Sequence, residues 1–329
     1  MISNASKETT NVNRPDISVI IPIYNEEENI DLLHRRLTKV LEDMAVSYEM
    51  VFVNDGSRDR SLELIRELAD RVPQVKFIDF SRNFGHQIAV SAGLDYVIGR
   101  TTVIIDADLQ DPPELIPDLY AKVGEGYDVV YARRKTRAGE TIFKTWTARL
   151  FYRILRKLTD VDIPVDTGDF RIVTHRIVEM LRRMPERNKY LRGQISWIGF
   201  NQTYLEYERR ERNAGETGYT VRKMLRFALD GITGFSDVPL KIVTYFGFLV
   251  TFFAFVVLGY VIYSRFILED YVQGWASTMI TILFIGGVQM IAIGIIGEYL
   301  SRMNANVRAR PLYIVRESNV GHREEKIEL

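Results

Sequence analysis

The sequence predicts an α/β domain on a mostly parallel sheet, followed by an amphipathic segment and two membrane-spanning helices. Three observations predict this. Short runs rich in Ile and Val alternate with helix-period patterns from residue 16 to residue 134. The runs end in polar, largely acidic residues. Two long uncharged windows lie near the C-terminus.

The elements follow in order. "DISVIIPIY" reads as a buried strand, and Glu26 to Met44 has helical periodicity through Ile30, Leu33, Leu37 and Leu41. "YEMVFVND" is a second strand, with a helix from Asp59 to Arg71 after it. "VKFIDFS" is a third, followed by a helix from Gly85 to Gly99. "TTVIIDAD" is a fourth. "DPPELIPDLYAKV" opens a helix with prolines in its first turn, where a missing N–H costs least, and Asp111 is expected to cap it. "YDVVYARR" is a fifth strand.

Composition narrows the function. Of 329 residues, 43 are Lys or Arg and 43 are Asp or Glu, so there is no basic excess for a general nucleic-acid binder. With no cysteine, a disulfide framework and a cysteine metal site are excluded. The four histidines (His34, His86, His175, His322) show no metal-ligand spacing.

Ile242–Tyr263 and Ala276–Gly297 are each about 22 residues without a charge, enough to cross a hydrocarbon core as a helix. Arg222, Lys223, Arg226 and Lys241 precede the first, and Arg302, Arg308 and Arg310 follow the second. The connection carries only Arg265 as a cation, so both termini are expected on the cytoplasmic side of the inner membrane. The first fifteen residues are polar and do not read as a signal peptide. The expected organisation is a polar tail (1–15), an α/β domain (16–221), an amphipathic juxtamembrane segment (222–240), a two-helix transmembrane hairpin (241–300) and a cytoplasmic tail (301–329). Met224, Leu225, Phe227, Ala228 and Leu229 stand against Arg222, Lys223, Arg226 and Asp230, a pattern suited to the headgroup layer. Gly286, Gly287, Gly294 and Gly297 make a small-residue face suited to helix packing, in the hairpin or in a homo-oligomer.

Ligands of such sheets bind beyond the carboxyl ends of the strands. Those ends here are Pro22 to Glu26, Asn54 to Ser57, Ser81 to Asn83, Asp106 to Asp108 and Arg133–Arg134. No Gly-x-Gly-x-x-Gly follows the first strand and no P-loop lysine is present, which argues against a dinucleotide fold or a P-loop NTPase. Acid at the strand ends still serves a phosphate if Mg²⁺ or Mn²⁺ bridges the two. Asp106, Asp108 and Gln110 would share one side of an extended chain at period two. A lone D-x-D is weak, since surface turns produce it often. D-x-D-x-Q after an apolar strand, beside N-D-G-S at another strand end, is much stronger.

These residues resemble the inverting nucleotide-sugar glycosyltransferases of family 2, which adopt the GT-A fold, and among them the polyprenyl-phosphate glycosyltransferases. The matching stretches are "SVIIPIYNEEENI", "FVNDGSRDRS", "SRNFGHQIAVSAGL", "IIDADLQDPPELI", "DTGDFRIV" and "RRERNAGETGYTVRKM", with "GEYLSRMNANVRARPLYIV" after the second span. The resemblance implies that Pro22, Tyr24, Glu26, Val53, Asp55, Asp106 and Arg212 bind the nucleotide sugar. It implies that Asp106, Asp108 and Gln110 hold Mg²⁺ or Mn²⁺ with the donor diphosphate. Arg133, with Arg134 and Arg137 near it, falls where the family binds the acceptor phosphate. Asp106, Asp108 and Asp169 are the implied catalytic acids. Arg212, Gly215, Thr217 and Tyr219 match a family loop, but Gly218 stands where relatives commonly carry Lys, a cation aimed at the donor phosphates.

Plainer roles compete. The plainer role for Asp55 is a helix cap, but Asp59 is nearer that helix and can supply it, which favours the nucleotide for Asp55. Tyr24 alone would be ordinary packing, and the arginines an ordinary solvated face. Asp166 and Asp169 either line the site or merely cap or pair with Arg171.

The resemblance implies transfer of a hexose, with UDP-glucose as the first-choice donor, to undecaprenyl phosphate at the cytoplasmic face. GDP-mannose or a UDP-amino-arabinose type sugar is the alternative donor. The acceptor oxygen is already anionic near neutral pH, so no strong general base is required. A processive polysaccharide synthase would carry Gln-x-x-Arg-Trp; the nearest text, "GQISWIGF", lacks the Arg-Trp pair. A non-catalytic membrane scaffold is the reading from another class, and the intact Asp55, Asp106 and Asp108 speak against it.

Overall fold

The computed structural model describes residues 14–135, 167–208, 238–263, 267 and 274–321. Arg137, Asp166, Arg212 and its loop, and nearly all of the amphipathic segment lie outside them.

The five expected strands form: β1 (Ile17–Ile23), β2 (Tyr48–Asn54), β3 (Val75–Phe80), β4 (Thr101–Ile104) and β5 (Val129–Arg134). The expected helices lie between them: α1 (Ile30–Asp43), α2 (Ser61–Arg71), α3 (His86–Tyr96) and α4 (Ile116–Gly124), the last preceded by a 3₁₀ turn over Pro113–Leu115. Further elements follow: β6 (Thr167–Thr174), α5 (His175–Arg182), α6 (Leu191–Ile198), β7 (Gln202–Tyr207), α7 (Val238–Tyr263), α8 (Trp275–Arg308) and β8 (Val315–Ser318).

The sheet order is β7-β5-β6-β4-β1-β2-β3-β8. β1 pairs in parallel with both β2 and β4, so the order reverses there and opens a crevice at the strands' carboxyl ends. β6 and β8 are antiparallel insertions. Alternation along β1 sends Val19 and Ile21 to one face and Ile20 to the other. The first face packs on α1, α2 and α4 through Leu33, Leu37, Ile65 and Leu119. The second packs on α3, α5 and α6 through Val90, Ile177 and Ile195. Helices on both faces leave β1 and β4 buried along their whole length and β2 buried from Glu49 onward, and apolar residues predominate in β1 and β2. Gly93 brings α3 against β1: a Cβ there would lie 2.4 Å from Ile20 Cγ2.

α7 and α8 are long and apolar enough to cross a membrane, and their apolar side chains, Tyr245, Phe248 and Met290 among them, stay exposed. α8 runs beyond the uncharged window that ends at Gly297. A more polar stretch, Glu298 to Arg308, continues it, and Arg302 bonds Glu298 one turn back at 3.1 Å. Ala309, at φ +47°, and Pro311 end it. The stretch expected as a tail from residue 301 therefore supplies the last turns of α8 and then β8, which joins the sheet beside β3.

Candidate active site

Five strand ends converge on the crevice. After β1, Asn25 turns the chain in the left-handed region at φ +56°, which Asn tolerates. Its carboxamide oxygen accepts from Arg58 N–H at 2.8 Å, and its own N–H donates to Ser57 Oγ at 3.0 Å. The β1 and β2 loops are thereby joined. Glu26 N–H donates to Ser61 Oγ at 3.0 Å, and the Glu26 carboxylate accepts from Asn29 Nδ2 at 2.7 Å. Tyr24 is 44% exposed at the mouth, whereas Pro22 and Val53 lie side by side within the sheet.

Asp55 does not cap α2. Asp59 supports that helix, accepting from Ser61 N–H at 3.0 Å. The Asp55 carboxylate reaches the β3 loop instead: Oδ1 accepts from Phe84 N–H at 2.6 Å, and Oδ2 from Gly85 N–H and Asn83 Nδ2 at 2.9 Å each. Burial pushes its pKa up, against those backbone donors. Gly56 sits at φ +65°, and a Cβ there would lie 2.5 Å from Arg82 C and 2.6 Å from Asn83 N. Gly56→Ala is expected to cost about 2 kcal/mol or more, because backbone and not a flexible side chain must move. A thermal midpoint equal to wild type would contradict this packing of loop on loop.

The extended geometry expected for Asp106, Asp108 and Gln110 does not form. β4 ends at Ile104, the chain turns at Ala107–Asp108, and Leu109 adopts φ +59°, uncommon for a bulky residue. The turn aims Gln110 N–H at Asp108 Oδ1, 3.1 Å away. Asp111 is fully buried and does not act as the helix cap. It accepts from the Tyr207 hydroxyl and lies 3.9 Å from Arg134 Nη2, because β7 and β5 bring those groups to it.

Asp106 meets two residues brought from far along the chain. His86 Nε2 lies 3.6 Å from Asp106 Oδ1 and 3.1 Å from Asp169 Oδ2. Asp169 Oδ1 accepts from Arg192 Nε at 3.0 Å and from Arg171 Nη2 at 3.1 Å. Asp169 thus pairs with Arg171 and also joins the site. Burial disfavours a charged imidazole at His86, but Asp106 and Asp169 outweigh it and raise its pKa to about 9. Burial opposes the charge on Asp169 as well, yet Arg192, His86 and Arg171 hold its carboxyl well below the usual range. Asp106 is pushed up by burial and by the neighbouring acids Asp169, Asp111 and Asp108, against His86.

One oxygen each of Asp106 and Asp169 and one ring nitrogen of His86 lie within 4.8 Å of one another. Asp106 Oδ1 is buried with no hydrogen-bond partner among the described residues. That donor set fits a divalent cation. Asp108 and Gln110 adjoin the group without belonging to it. Arg133 stacks 4.6 Å over Tyr204 and stands 3.9 Å from Glu206, partly exposed at the end of β5. Arg134 is turned inward, towards Asp111 and Tyr207. Sequence reasoning missed His86 and Arg192 as site residues. His86 was within reach, three residues past the polar end of β3; Arg192 had no local signal.

A crevice of carboxylates at the reversal point of a GT-A-like sheet defines the class. Residues 18–182 match the glycosyl transferase family 2 domain, and residues 238–303 match the GtrB C-terminal hairpin. The chain belongs to glycosyl transferase family 2, and its chemistry is glycosyl transfer. It is 48% identical to the uncharacterized glycosyltransferase YkcC of Bacillus subtilis, over 92% of this chain and 93% of that protein. It is 40% identical to the prophage bactoprenol glucosyl transferase homolog of Escherichia coli, over 91% of this chain and 98% of that protein. Among solved structures, glucosyl-3-phosphoglycerate synthase of Mycobacterium tuberculosis aligns with a TM-score of 0.46 at 20% identity, covering 68% of this chain and 81% of that one.

Proposed function

We propose that the protein transfers a hexose, glucose from UDP-glucose, to undecaprenyl phosphate at the cytoplasmic face of the inner membrane, with inversion at the anomeric carbon. The reading is supported above all by one juxtaposition. The chain leaving α8 runs to the same carboxyl edge of the sheet that carries Asp55 and Asp106. Arg187 N–H donates to Asn306 Oδ1 at 3.0 Å, and its guanidinium to Ala309 O at 3.1 Å. Ser81 N–H donates to Ile314 O at 2.9 Å. If α7 and α8 cross a bilayer with both termini cytoplasmic, a phosphate at the lipid surface meets the crevice directly. The bactoprenol glucosyl transferase homolog is a full-length relative and supports the same acceptor class.

In this reading Tyr24, Glu26 and the loops joined at Asp55 wall the nucleotide over a floor of Pro22 and Val53, and Arg212, outside the described residues, is a further donor-binding residue. Asp106 would hold Mg²⁺ or Mn²⁺ beside the donor diphosphate within the group it forms with His86 and Asp169, and Asp108 and Gln110 would support it from the adjoining turn. A bound cation supplies charge neutralisation to the departing nucleotide. Arg133, with Arg134 and Arg137, orients the acceptor phosphate by charge-assisted bonds, and Arg133 is the better exposed of the two described. The phosphate oxygen forms the new bond to the anomeric carbon as the nucleoside diphosphate leaves with the bonding pair. Asp169 and His86 fix Asp106 by charge and geometry. The chain acts as a homo-oligomer packed through the apolar hairpin.

The test is purified full-length protein with undecaprenyl phosphate and, in turn, radiolabelled UDP-glucose, GDP-mannose and a UDP-amino-arabinose type sugar. Lipid-extractable label is expected from UDP-glucose. Label from another donor would correct the sugar. No product and no nucleotide-sugar binding at any Mg²⁺ or Mn²⁺ concentration would sink the enzyme reading in favour of a scaffold.

A further inference from the structure

β8 is only four residues long, yet it pairs with the strand that leads into one of the two loops assigned to the nucleotide. Its register sets Val315 against Phe80, Glu317 against Asp79 and Ser318 against Ile78. Tyr313, just before it, stacks on Phe80 with ring centroids 5.1 Å apart and donates its hydroxyl to Asp95 on α3 at 2.9 Å. Just after it, Asn319 Oδ1 accepts from Phe77 N–H at 2.6 Å. The strand is thus anchored at both ends.

Arg316 lies between those anchors and makes two contacts of another kind. Its Nη2 donates to Ser81 O at 2.9 Å, and its Nη1 lies 3.6 Å from Asp79 Oδ2. Ser81 opens the segment whose later residues, Asn83 to Gly85, feed three N–H donors to Asp55. Asp79 is fully buried, and its other oxygen accepts from Asn54 Nδ2 at 2.7 Å. Asn54 immediately precedes Asp55, and its carboxamide oxygen faces Ser57 N–H at 3.4 Å. One guanidinium therefore holds the first residue of one loop and, through Asp79 and Asn54, the first residue of the other. The two loops touch backbone to side-chain position at Gly56, so neither moves alone.

We infer that Arg316 is a positioning residue for the nucleotide half of the donor, setting the relative placement of loops 54–57 and 81–85 from a strand that follows the second apolar helix. This rests on the donor-pocket reading of Asp55. Arg316 remains more than half exposed, so its ion pair adds little to global stability. Its effect falls on geometry, where a small displacement of binding groups costs much. Arginine is required because a planar fork serves Ser81 O and Asp79 together, whereas a lysine is a single point charge.

The test uses full-length protein in detergent, UDP with Mn²⁺ as the calorimetric ligand, and steady-state transfer from UDP-glucose. Arg316→Ala is expected to weaken UDP binding and raise the donor KM together by about five- to tenfold, with kcat and the acceptor KM nearly unchanged. Its thermal midpoint should move by no more than about 2 °C. Arg316→Lys should recover part of the loss. Arg66→Ala, which removes the ion pair to Glu317 on the same strand, should leave UDP binding as in wild type. If Arg316→Ala binds UDP within twofold of wild type, or Arg66→Ala loses as much as Arg316→Ala, the inference is overturned. If Arg316→Ala does not fold, Arg316→Lys against Arg66→Ala decides by the same criterion. Asp55→Ala separates the two levels. Unchanged UDP binding there defeats the donor-pocket reading itself; lost binding there, with Arg316→Ala normal, defeats only the role of Arg316.

Discussion

Asp108→Ala is expected to lower lipid-linked product formation by about a thousandfold, the scale on which preorganised charge stabilisation acts. The side chain is nearly buried at the turn after β4, and its Oδ1 holds Gln110 N–H, so truncation removes a carboxylate and loosens the turn. Asp106→Asn should be nearly as severe, since its buried Oδ1 has no hydrogen-bond partner among the described residues and its carboxylate belongs to the group with His86 and Asp169. The chelator experiment belongs with them. EDTA should abolish transfer, Mn²⁺ or Mg²⁺ should restore it in wild type, and neither ion should rescue Asp108→Ala. Product formation by Asp108→Ala within threefold of wild type would overturn the metal assignment.

Asp169→Asn should lose both activity and stability, for a different reason. Arg171 is only 1% exposed, and Asp169 is its carboxylate partner as well as that of Arg192 and His86. Removing one member of a buried charge group leaves the others uncompensated, at about 3–5 kcal/mol. The lost stability should depend on pH. Asp169 has a folded-state pKa below its unfolded value of about 3.9, so its contribution is complete above that value and fades as pH falls towards the depressed folded value. The gap in thermal midpoint between wild type and variant should therefore be full at neutral pH and shrink in acid. Equal midpoints at neutral pH would show that the buried cations find other compensation.

The strands and helices from β1 to β5 were legible because helices cover both sheet faces there, so a strand reads as a short run dominated by apolar residues. The remaining strands were not. β6 carries Arg171 in mid-strand, and its burial depends on a carboxylate two residues away, which no hydropathy pattern reveals. β7 lies at the sheet edge, where alternating half-exposed residues weaken the signal. β8 is four residues with two charges, held by partners more than two hundred positions upstream.

Asp55, Asp106 and Asp108 were legible by the same logic, since they stand where apolar runs stop, whereas Asp169 precedes one. What sequence could not convey was how the backbone turns after β4. Leu109 enters the left-handed region, so Asp106 joins His86 and Asp169, while period-two spacing would have grouped it with Asp108 and Gln110. Distances along the chain hid the rest: His86 and Asp169 are 83 positions apart.

Pairing β8 with β3 also orders the birth of the protein. Arg316 and Ser81 are 235 positions apart, and at ribosomal speeds of about 5–20 residues per second that interval lasts on the order of 10–50 s. During that time β3 is an open sheet edge beside a newly made core, the kind of edge that invites mispairing. Both α7 and α8 are synthesised before the strand that closes it. A chain whose hairpin stalls during biogenesis would carry a catalytic unit lacking its last strand, and its immature pool would be marked by sensitivity to proteolysis near Ser81.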